Sequence, residues 1–201
     1  MDSFEQLGLP SFLVDTIEKL GYKEPTEVQA KAIPKALEGS NIIGLSQTGT
    51  GKTAAFLLPI ISNLSNGRSK ARMPRSLVLC PTRELAAQVM ENFEDYSKNT
   101  RLTSALLIGG VSFKDQDKKL DRGVDIIIAT PGRLLDQFER GKLMLTGVEF
   151  LAIDEADKML DMGFIPDITR ILESLPSVKQ KILFSATIGK EIENLIAKFI
   201  K

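Results

Sequence analysis

Histidine and tryptophan are absent from the 201 residues, and there is one cysteine. Without histidine, Ser-His-Asp and Cys-His catalysis and histidine-ligated metal sites are excluded, so acid–base work falls to carboxylates, lysines or water. The single cysteine, Cys80, ends the apolar run Ser76-Leu77-Val78-Leu79. It excludes an internal disulfide, reads as a small buried hydrophobe and fits a reducing compartment, so a cytoplasmic location is expected. Net charge is missing too: 26 Lys and Arg stand against 26 Asp and Glu. No global basic field therefore announces nucleic acid, and any such site must be local. The start Met1-Asp2-Ser3-Phe4-Glu5 lacks a charged and apolar leader, and no uninterrupted apolar stretch approaches the ~20 residues of a membrane span, so no membrane partner is expected. Nor does a Ser/Gly-rich or highly charged stretch divide the chain, and 43% hydrophobic residues suffice for one substantial core. A single domain over residues 1–201 is predicted.

What is there begins with Ser46-Gln47-Thr48-Gly49-Thr50-Gly51-Lys52-Thr53, placed between the apolar runs 41–45 and 54–61. Strand, glycine-rich loop and helix in that order form a phosphate cradle. Backbone N–H groups point inward, a helix N-terminus faces the anion, and Gly49 and Gly51 allow close backbone approach. Lys52 would reach the β- and γ-phosphates and Thr53 would ligate Mg²⁺. The general pattern has glycine five residues before Gly51, where this chain has Ser46; an ordinary glycine-rich turn is the alternative.

Along the chain, Ser11 to Leu20 has apolar residues spaced for a short amphipathic helix ended by Gly21. Tyr22-Lys23-Glu24-Pro25-Thr26 is a turn, with Thr26 as N-cap of a helix through Gln29, Ile33 and Leu37 that closes at Gly39; Pro34 should kink or interrupt it. Short apolar runs at 41–45, 76–80, 104–108, 125–129, 149–154 and 181–185 are candidate buried strands, and helical patterns at about 54–65, 83–97, 112–121, 132–139, 155–162, 166–175 and 189–200 separate them. Strand alternating with helix predicts an α/β fold, a mostly parallel β-sheet with helices on both faces whose ligands lie beyond the carboxyl ends of the strands. The distinctive residues do follow the strands: Pro81-Thr82-Arg83-Glu84, Gly109-Gly110, Thr130-Pro131-Gly132-Arg133, Asp154-Glu155-Ala156-Asp157 and Ser185-Ala186-Thr187. The one concentrated basic loop, 66–75 with Arg68, Lys70, Arg72 and Arg75, reads as a solvated surface loop.

Asp154 closes an apolar strand, as a phosphate loop requires of its partner, because Mg²⁺ needs a carboxylate opposite the Thr53 hydroxyl, directly or through water. Glu155 is placed to orient or deprotonate the water that attacks the γ-phosphorus. Acids suited to a helix dipole are the alternative account of Asp154, Glu155 and Asp157.

These motifs resemble the DEAD-box family of ATP-dependent RNA helicases. The likeness rests on Asp154-Glu155-Ala156-Asp157 and on Gly21-Tyr22-Lys23-Glu24-Pro25-Thr26-Glu27-Val28-Gln29, which looks like the family's glutamine motif. Pro81-Thr82-Arg83-Glu84-Leu85-Ala86, Gly109-Gly110, Thr130-Pro131-Gly132-Arg133 and Ser185-Ala186-Thr187 follow in family order over nearly the whole chain. The family carries Ala or Ser where the generic loop has its first glycine, which accounts for Ser46. The resemblance implies a single RecA-like P-loop domain, with the glutamine motif at about 2–30 and the phosphate-loop core at about 31–201. It implies ATP and Mg²⁺ as cofactors. Tyr22 would stack on adenine, Gln29 would read its Hoogsteen and amino edge, and Phe4 resembles the upstream aromatic that supports this pocket. Ser46, Gln47, Thr48, Gly49, Thr50, Gly51, Lys52 and Thr53 would hold the phosphates. Thr82, Arg83, Gly110, Thr130, Gly132 and Arg133 would hold the backbone of one RNA strand, with Gly163-Phe164 beside them. Ser185 and Thr187, hydrogen-bonded to Asp157, would couple nucleotide state to RNA grip.

Arginines and backbone amides at strand ends suit phosphate contact, which carries little sequence information, so sequence-independent RNA binding is expected. The family has a second RecA-like lobe with further RNA contacts and the arginines that complete the ATP site. Lys201 stands about where the first lobe ends, so an excised N-terminal domain, acting as a monomer, is expected. Three readings compete: the first lobe of an RNA-dependent ATPase, a nucleotide-gated RNA clamp with little turnover, and a P-loop ATPase acting on DNA or protein. Lys52 with Glu155 favours turnover, and the adenine pocket joined to Thr130-Pro131-Gly132-Arg133 favours RNA.

Overall fold

A computed structural model of the chain describes residues 3–67 and 72–200, so Arg68 and Lys70 of the basic loop lie outside the described residues. The elements are α1 (Ser11–Lys19), α2 (Glu27–Leu37), β1 (Ile42–Leu45), α3 (Lys52–Leu64), β2 (Ser76–Leu79), α4 (Arg83–Ser97), β3 (Ser104–Leu107) and α5 (Phe113–Arg122). They continue as β4 (Ile126–Ala129), α6 (Pro131–Glu139), β5 (Phe150–Ile153), α7 (Ala156–Asp161), α8 (Ile165–Glu173), β6 (Gln180–Ser185) and α9 (Lys190–Phe199). Every strand pair is parallel, in the order β1-β6-β5-β2-β4-β3.

Side chains alternate across the strands, so one apolar run feeds two cores. Val78, Ile126, Ile128, Ala152, Ile182 and Phe184 pack with α1 to α4, while Leu77, Leu79, Ile127, Leu151, Ile153 and Leu183 pack with α5 to α9. The strand order also divides the carboxyl edge of the sheet. The loops after β1, β6 and β5 are neighbours, and so are those after β2, β4 and β3.

Three expectations are corrected. Pro34 does not interrupt α2, which runs on to Leu37; the lost backbone bond is outweighed by the buried face of Ile33 and Ala36 against α3. The run 41–45 is not a buried strand: β1 is the sheet edge, half-exposed along Ile42, Ile43 and Gly44, with Leu45 68% exposed. A cleft of about 890 Å³ lies beside it, lined by Val28, Lys31, Ile42, Leu45 and Phe184. It is the larger cleft, yet it gathers none of the acids that follow β5. Arg72 and Arg75 are tied down rather than merely solvated, Arg72 Nε to Asp121 at 3.0 Å and Arg75 to the carbonyls of Leu64 and Asn66 at 3.1 and 3.0 Å. Among the described residues no helix is long and apolar enough to cross a membrane.

Candidate nucleotide and nucleic-acid site

The loop between β1 and α3 is closed on itself. Ser46 and Thr50 share a hydroxyl hydrogen bond, Thr50 Oγ1 donates to the Gln47 carbonyl at 2.7 Å, and Ser46 N donates to Ser185 O at 3.0 Å. Gln47, Thr48 and Gly49 are exposed at its tip. Gly51 must be glycine on two counts. Its φ is +87°, and a Cβ would stand 2.5 Å from Gln29 Nε2 and 2.8 Å from Thr26 Oγ1. Gln29 is buried there: Oε1 accepts from Thr26 N at 2.9 Å and Nε2 donates to Gly51 O at 3.1 Å. Each end of the amide retains one further hydrogen-bonding capacity, which is what a purine edge requires.

Lys52 opens α3 and is buried, with Nζ 3.0 Å from Asp154 Oδ1 and 3.7 Å from Glu155 Oε2. Neither of those two carboxylate oxygens accepts a well-aligned hydrogen bond. Burial pushes the Asp154 carboxyl above its ordinary range, although the Lys52 charge opposes this. Glu155 has φ 54° and ψ 56°, left-handed backbone that costs a non-glycine residue about 1–3 kcal/mol and clusters at functional sites. Its other oxygen, Oε1, pairs with Lys158 Nζ at 2.9 Å, and that contact raises the Lys158 ammonium. The Lys52 ammonium therefore faces one oxygen of each buried carboxylate, and neither of those oxygens has a further hydrogen-bond partner. That arrangement fits a Mg²⁺ site, since the ion is held by one or two carboxylates and substrate phosphates rather than by a protein cage. Among the described residues no group of three or more acids, cysteines or histidines could hold a metal by itself.

These groups line a cleft of about 630 Å³ with Tyr22, Thr26, Gln29, Thr48, Gly49 and Thr53. Phe4 is buried with its ring 6.3 Å from that of Tyr22, as the resemblance implies. One wall escaped the sequence reading: Leu85, Gln88, Val89, Asn92 and Tyr96 of α4 also line the cleft. The helical spacing of 85, 88, 89, 92 and 96 was available, but a mixed apolar and amide face reads as ordinary packing without a neighbour to give it meaning.

Asp157, one turn into the same segment, is met on the other side. Thr187 donates to Asp157 Oδ2 from its backbone N at 3.2 Å and from Oγ1 at 3.0 Å. Burial raises this carboxyl, but the Thr187 hydroxyl and the backbone amides together hold it below its ordinary value. Ser185 does not join it: its buried hydroxyl donates to the Thr187 carbonyl at 2.6 Å, so it shapes the turn that presents Thr187.

The loops after β2, β4 and β3 meet around a second cleft of about 440 Å³, lined by Thr82, Arg83, Gly109, Thr130, Gly132, Arg133 and Phe164, with exposed Met162 as an unanticipated member. Gly110, at φ +80°, lies under the Arg83 guanidinium, where a Cβ would be 2.5 Å from Nη1. Arg83 Nη1 donates to Gly109 O at 3.4 Å and Arg133 Nη1 to Val111 O at 2.9 Å, so two helices grip one glycine turn. Thr82 is also the N-cap of α4, accepting from Leu85 N at 3.1 Å.

A parallel sheet with a glycine-rich loop after its edge strand, and acids two strands away, defines a P-loop nucleotide-binding domain. Comparison narrows the class. The pattern of the DEAD/DEAH box helicase family matches residues 26–195. The chain is 43% identical to the DEAD-box ATP-dependent RNA helicase 52A of Oryza sativa subsp. japonica, over 99% of this chain and 36% of the relative. It is 44% identical to the ATP-dependent RNA helicase DeaD of Buchnera aphidicola subsp. Schizaphis graminum, over 99% of this chain and 33% of that one. Among solved structures it resembles a DEAD box protein from Methanococcus jannaschii with TM-score 0.91 and 39% identity, over 98% of this chain and 53% of the other. A hypothetical ATP-dependent RNA helicase from Sulfolobus tokodaii gives 0.88 and 40%, over 96% and 55%. The chain belongs to the DEAD/DEAH box helicase family, with the RecA-like fold of its DEAD-box members. It spans about a third of the length of these curated relatives.

Proposed function

We propose that this chain is the nucleotide-binding lobe of an ATP-dependent RNA helicase. It holds ATP in the cleft beside β1 and β5 and one RNA strand in the cleft beyond β2, β4 and β3. The observation that carries the reading is the Lys52, Asp154 and Glu155 cluster, whose unpartnered buried oxygens are balanced by a cation that a phosphate can draw away. Lys52 exchanges the carboxylates for the β- and γ-phosphates, and the loop amides from Thr48 to Thr53 face the same anion. Thr53 and Asp154 would hold Mg²⁺, directly or through water; when bound, the ion neutralises phosphate oxygens beside the reacting centre. Glu155 orients the attacking water and accepts its proton. Gln29 and Tyr22 select adenine, and the Gln29 bond to Gly51 joins base recognition to the phosphate loop.

At the second cleft Arg83, Arg133, Thr82 and the backbone at Gly110, Thr130 and Gly132 take phosphate and sugar without reading bases. The Asp157–Thr187 bond ties the segment after β5 to the turn after β6, and through it nucleotide state would be coupled to RNA grip. Turnover and separation of short duplexes need a second RecA-like lobe, because phosphoryl transfer depends on cations around the transferring group and a supplied arginine is worth ~10³–10⁵ in rate.

Steady-state phosphate release from these 201 residues, with and without saturating single-stranded RNA, tests this. The expected rate is at least ~10³ below that of the longer protein, with no stimulation by RNA. RNA-stimulated turnover at the full rate, abolished by Lys52→Ala, would mean that the catalytic site is complete within one lobe.

A further inference from the structure

Tyr96 is one of two tyrosines in the chain and no motif requires it. It sits near the end of α4, 2% exposed, on the face that lines the nucleotide cleft. A buried phenol hydroxyl needs a partner. Its partner is the Tyr22 hydroxyl, 2.5 Å away, and the two rings meet edge to face with centroids 5.9 Å apart at 78°.

Tyr22 needs such a hold. It follows Gly21, at φ +96° with nothing within 4 Å of where a Cβ would stand, and precedes a stretch without regular structure up to Thr26. Its backbone is anchored by one bond, from Tyr22 N to Ile17 O at 3.0 Å. The side chain has two rotatable bonds, and a ring free to turn would lose ordering entropy each time a base stacked on it. A bond at the far end of the phenol fixes where the ring stands, removing the first rotation; the phenol oxygen lies on the axis of the second, which is restrained instead by the Tyr96 ring edge and by Phe4. Phe4 backs the ring at an interplanar angle of 39°. Just beyond α4, Asn99 Nδ2 donates to Thr16 Oγ1 of α1 at 3.1 Å, so the end of α4 steadies the helix before the Gly21 joint as well as the ring after it.

We propose that Tyr96 is a positioning residue of the base site. Its hydroxyl fixes the position of the Tyr22 ring and its ring edge helps set the plane on which adenine stacks, so α4 sets base affinity and selectivity from outside the segment that carries the base readers. This rests on the reading of Tyr22 as the base platform. Burial first, and the Tyr22 bond second, push the Tyr96 phenol up, so its hydroxyl keeps its proton at any working pH.

Calorimetric titration of ADP, GDP and inorganic pyrophosphate onto the 201-residue chain tests the proposal in wild type, Tyr96→Phe, Tyr22→Phe, the double variant and Tyr22→Ala. Tyr96→Phe is expected to weaken ADP about three- to tenfold, narrow the ADP over GDP preference and leave pyrophosphate unchanged. Tyr22→Phe, which keeps the stacking ring, should lose as much, and the double variant no more than either, because all three lack the same bond. Wild-type ADP affinity in Tyr96→Phe, with Tyr22→Ala still weak, overturns the positioning role and leaves the platform standing. Wild-type ADP affinity in Tyr22→Ala overturns the platform and the proposal with it. An equal loss for pyrophosphate overturns the proposal by placing the damage in the phosphate loop. Should Tyr96→Phe fail to fold, Tyr22→Phe decides alone, since it removes the same bond from the exposed side.

Discussion

The two halves of the sheet's carboxyl edge solve opposite problems. Around β1, β6 and β5, charge is buried and left short of partners: Asp154 Oδ1 and Glu155 Oε2 face the Lys52 ammonium at 3.0 and 3.7 Å with no further hydrogen-bond partner, and Glu155 holds a left-handed backbone. Around β2, β4 and β3 the charges are already tied. Arg133 donates to Val111 O, and both Arg133 and Arg140 lie over the Phe113 ring at 4.1 and 4.2 Å from its centroid. The first half holds a polar deficit that a polyanion and a cation can satisfy, which suits a ligand that binds, reacts and leaves. The second is shaped in advance, which suits a uniform backbone gripped by position rather than by sequence. Asp154 and Asp157 show the contrast within one segment, the first raised by burial and the second lowered by its donors.

The largest break in this comparison comes from the catalytic acid. In the longer protein carrying this domain, Glu155→Gln is expected to lower kcat by ~10²–10⁴ while ATP still binds. Lys52→Ala is expected to weaken nucleotide binding itself. Single-turnover phosphate release beside nucleotide titration separates the two; wild-type turnover in Glu155→Gln with RNA present would show that another group orients the water.

Next in size is the joint between loop and base reader. Gly51→Ala places a methyl group 2.5 Å from Gln29 Nε2 at φ +87°, so strain and overlap together should cost about 2–4 kcal/mol and weaken ADP. Gly49→Ala has nearly the same φ, +86°, with nothing within 4 Å, and should cost only about 1–2 kcal/mol of strain. Thermal melting of both variants checks this, since about 1 kcal/mol moves the midpoint of a chain this size by roughly 2–4 °C. Equal losses would mean that the Gln29 contact is slack.

The second half is sharpened by its two arginines. In the longer protein each, changed to Ala, should weaken RNA by a similar amount on unrelated sequences and reduce the salt slope by about one phosphate contact. They should differ in stability. The Arg133 side chain is 13% exposed and holds Val111, so its loss should cost about 1–3 kcal/mol. Arg83 is exposed, with one long bond to Gly109, and should fall within about 0.5 kcal/mol. Filter binding at several salt concentrations and a melt of each variant decide it; base-dependent losses would contradict a backbone grip.

Much of this was legible because parallel strands are short apolar runs and ligands gather at their carboxyl ends, so the six strands and the residues after them were found from periodicity and motif order. What stayed hidden depends on neighbours distant in sequence. The exposure of β1 follows from strand order, which no local run encodes. Pro34 inside α2 follows from tertiary burial of Ile33 and Ala36 overriding a local rule. The turn from Ser185 back to Thr187, and the α4 wall with Tyr96, arise from contacts between elements far apart in the chain, and neither residue type announces them.

The smallest expected effect tests whether the two carboxyls differ in sign. Asp157 is lowered in the folded state, so its contribution to stability is present above the ordinary aspartate range and is lost as pH falls through its folded value. Asp157→Asn should therefore melt below wild type near pH 7, by less than about 1 kcal/mol because the amide oxygen can still accept from Thr187 at this partly exposed site, and the two curves should converge in acid. Asp154 is raised, because burial outweighs the Lys52 charge. Its ionisation opposes folding: the opposition is absent below the unfolded value, grows as pH rises through the folded one, and is complete above it. Asp154→Asn should therefore melt at or above wild type near pH 7, with the gain shrinking toward pH 4, while abolishing the pairing that a bound cation needs. Melting scans of both variants from pH 4 to pH 8 measure the two slopes. If Asp154→Asn melted well below wild type at neutral pH, the Lys52 ion pair would be a net source of stability, and the buried acids would be a structural element of the fold rather than a deficit kept for a ligand.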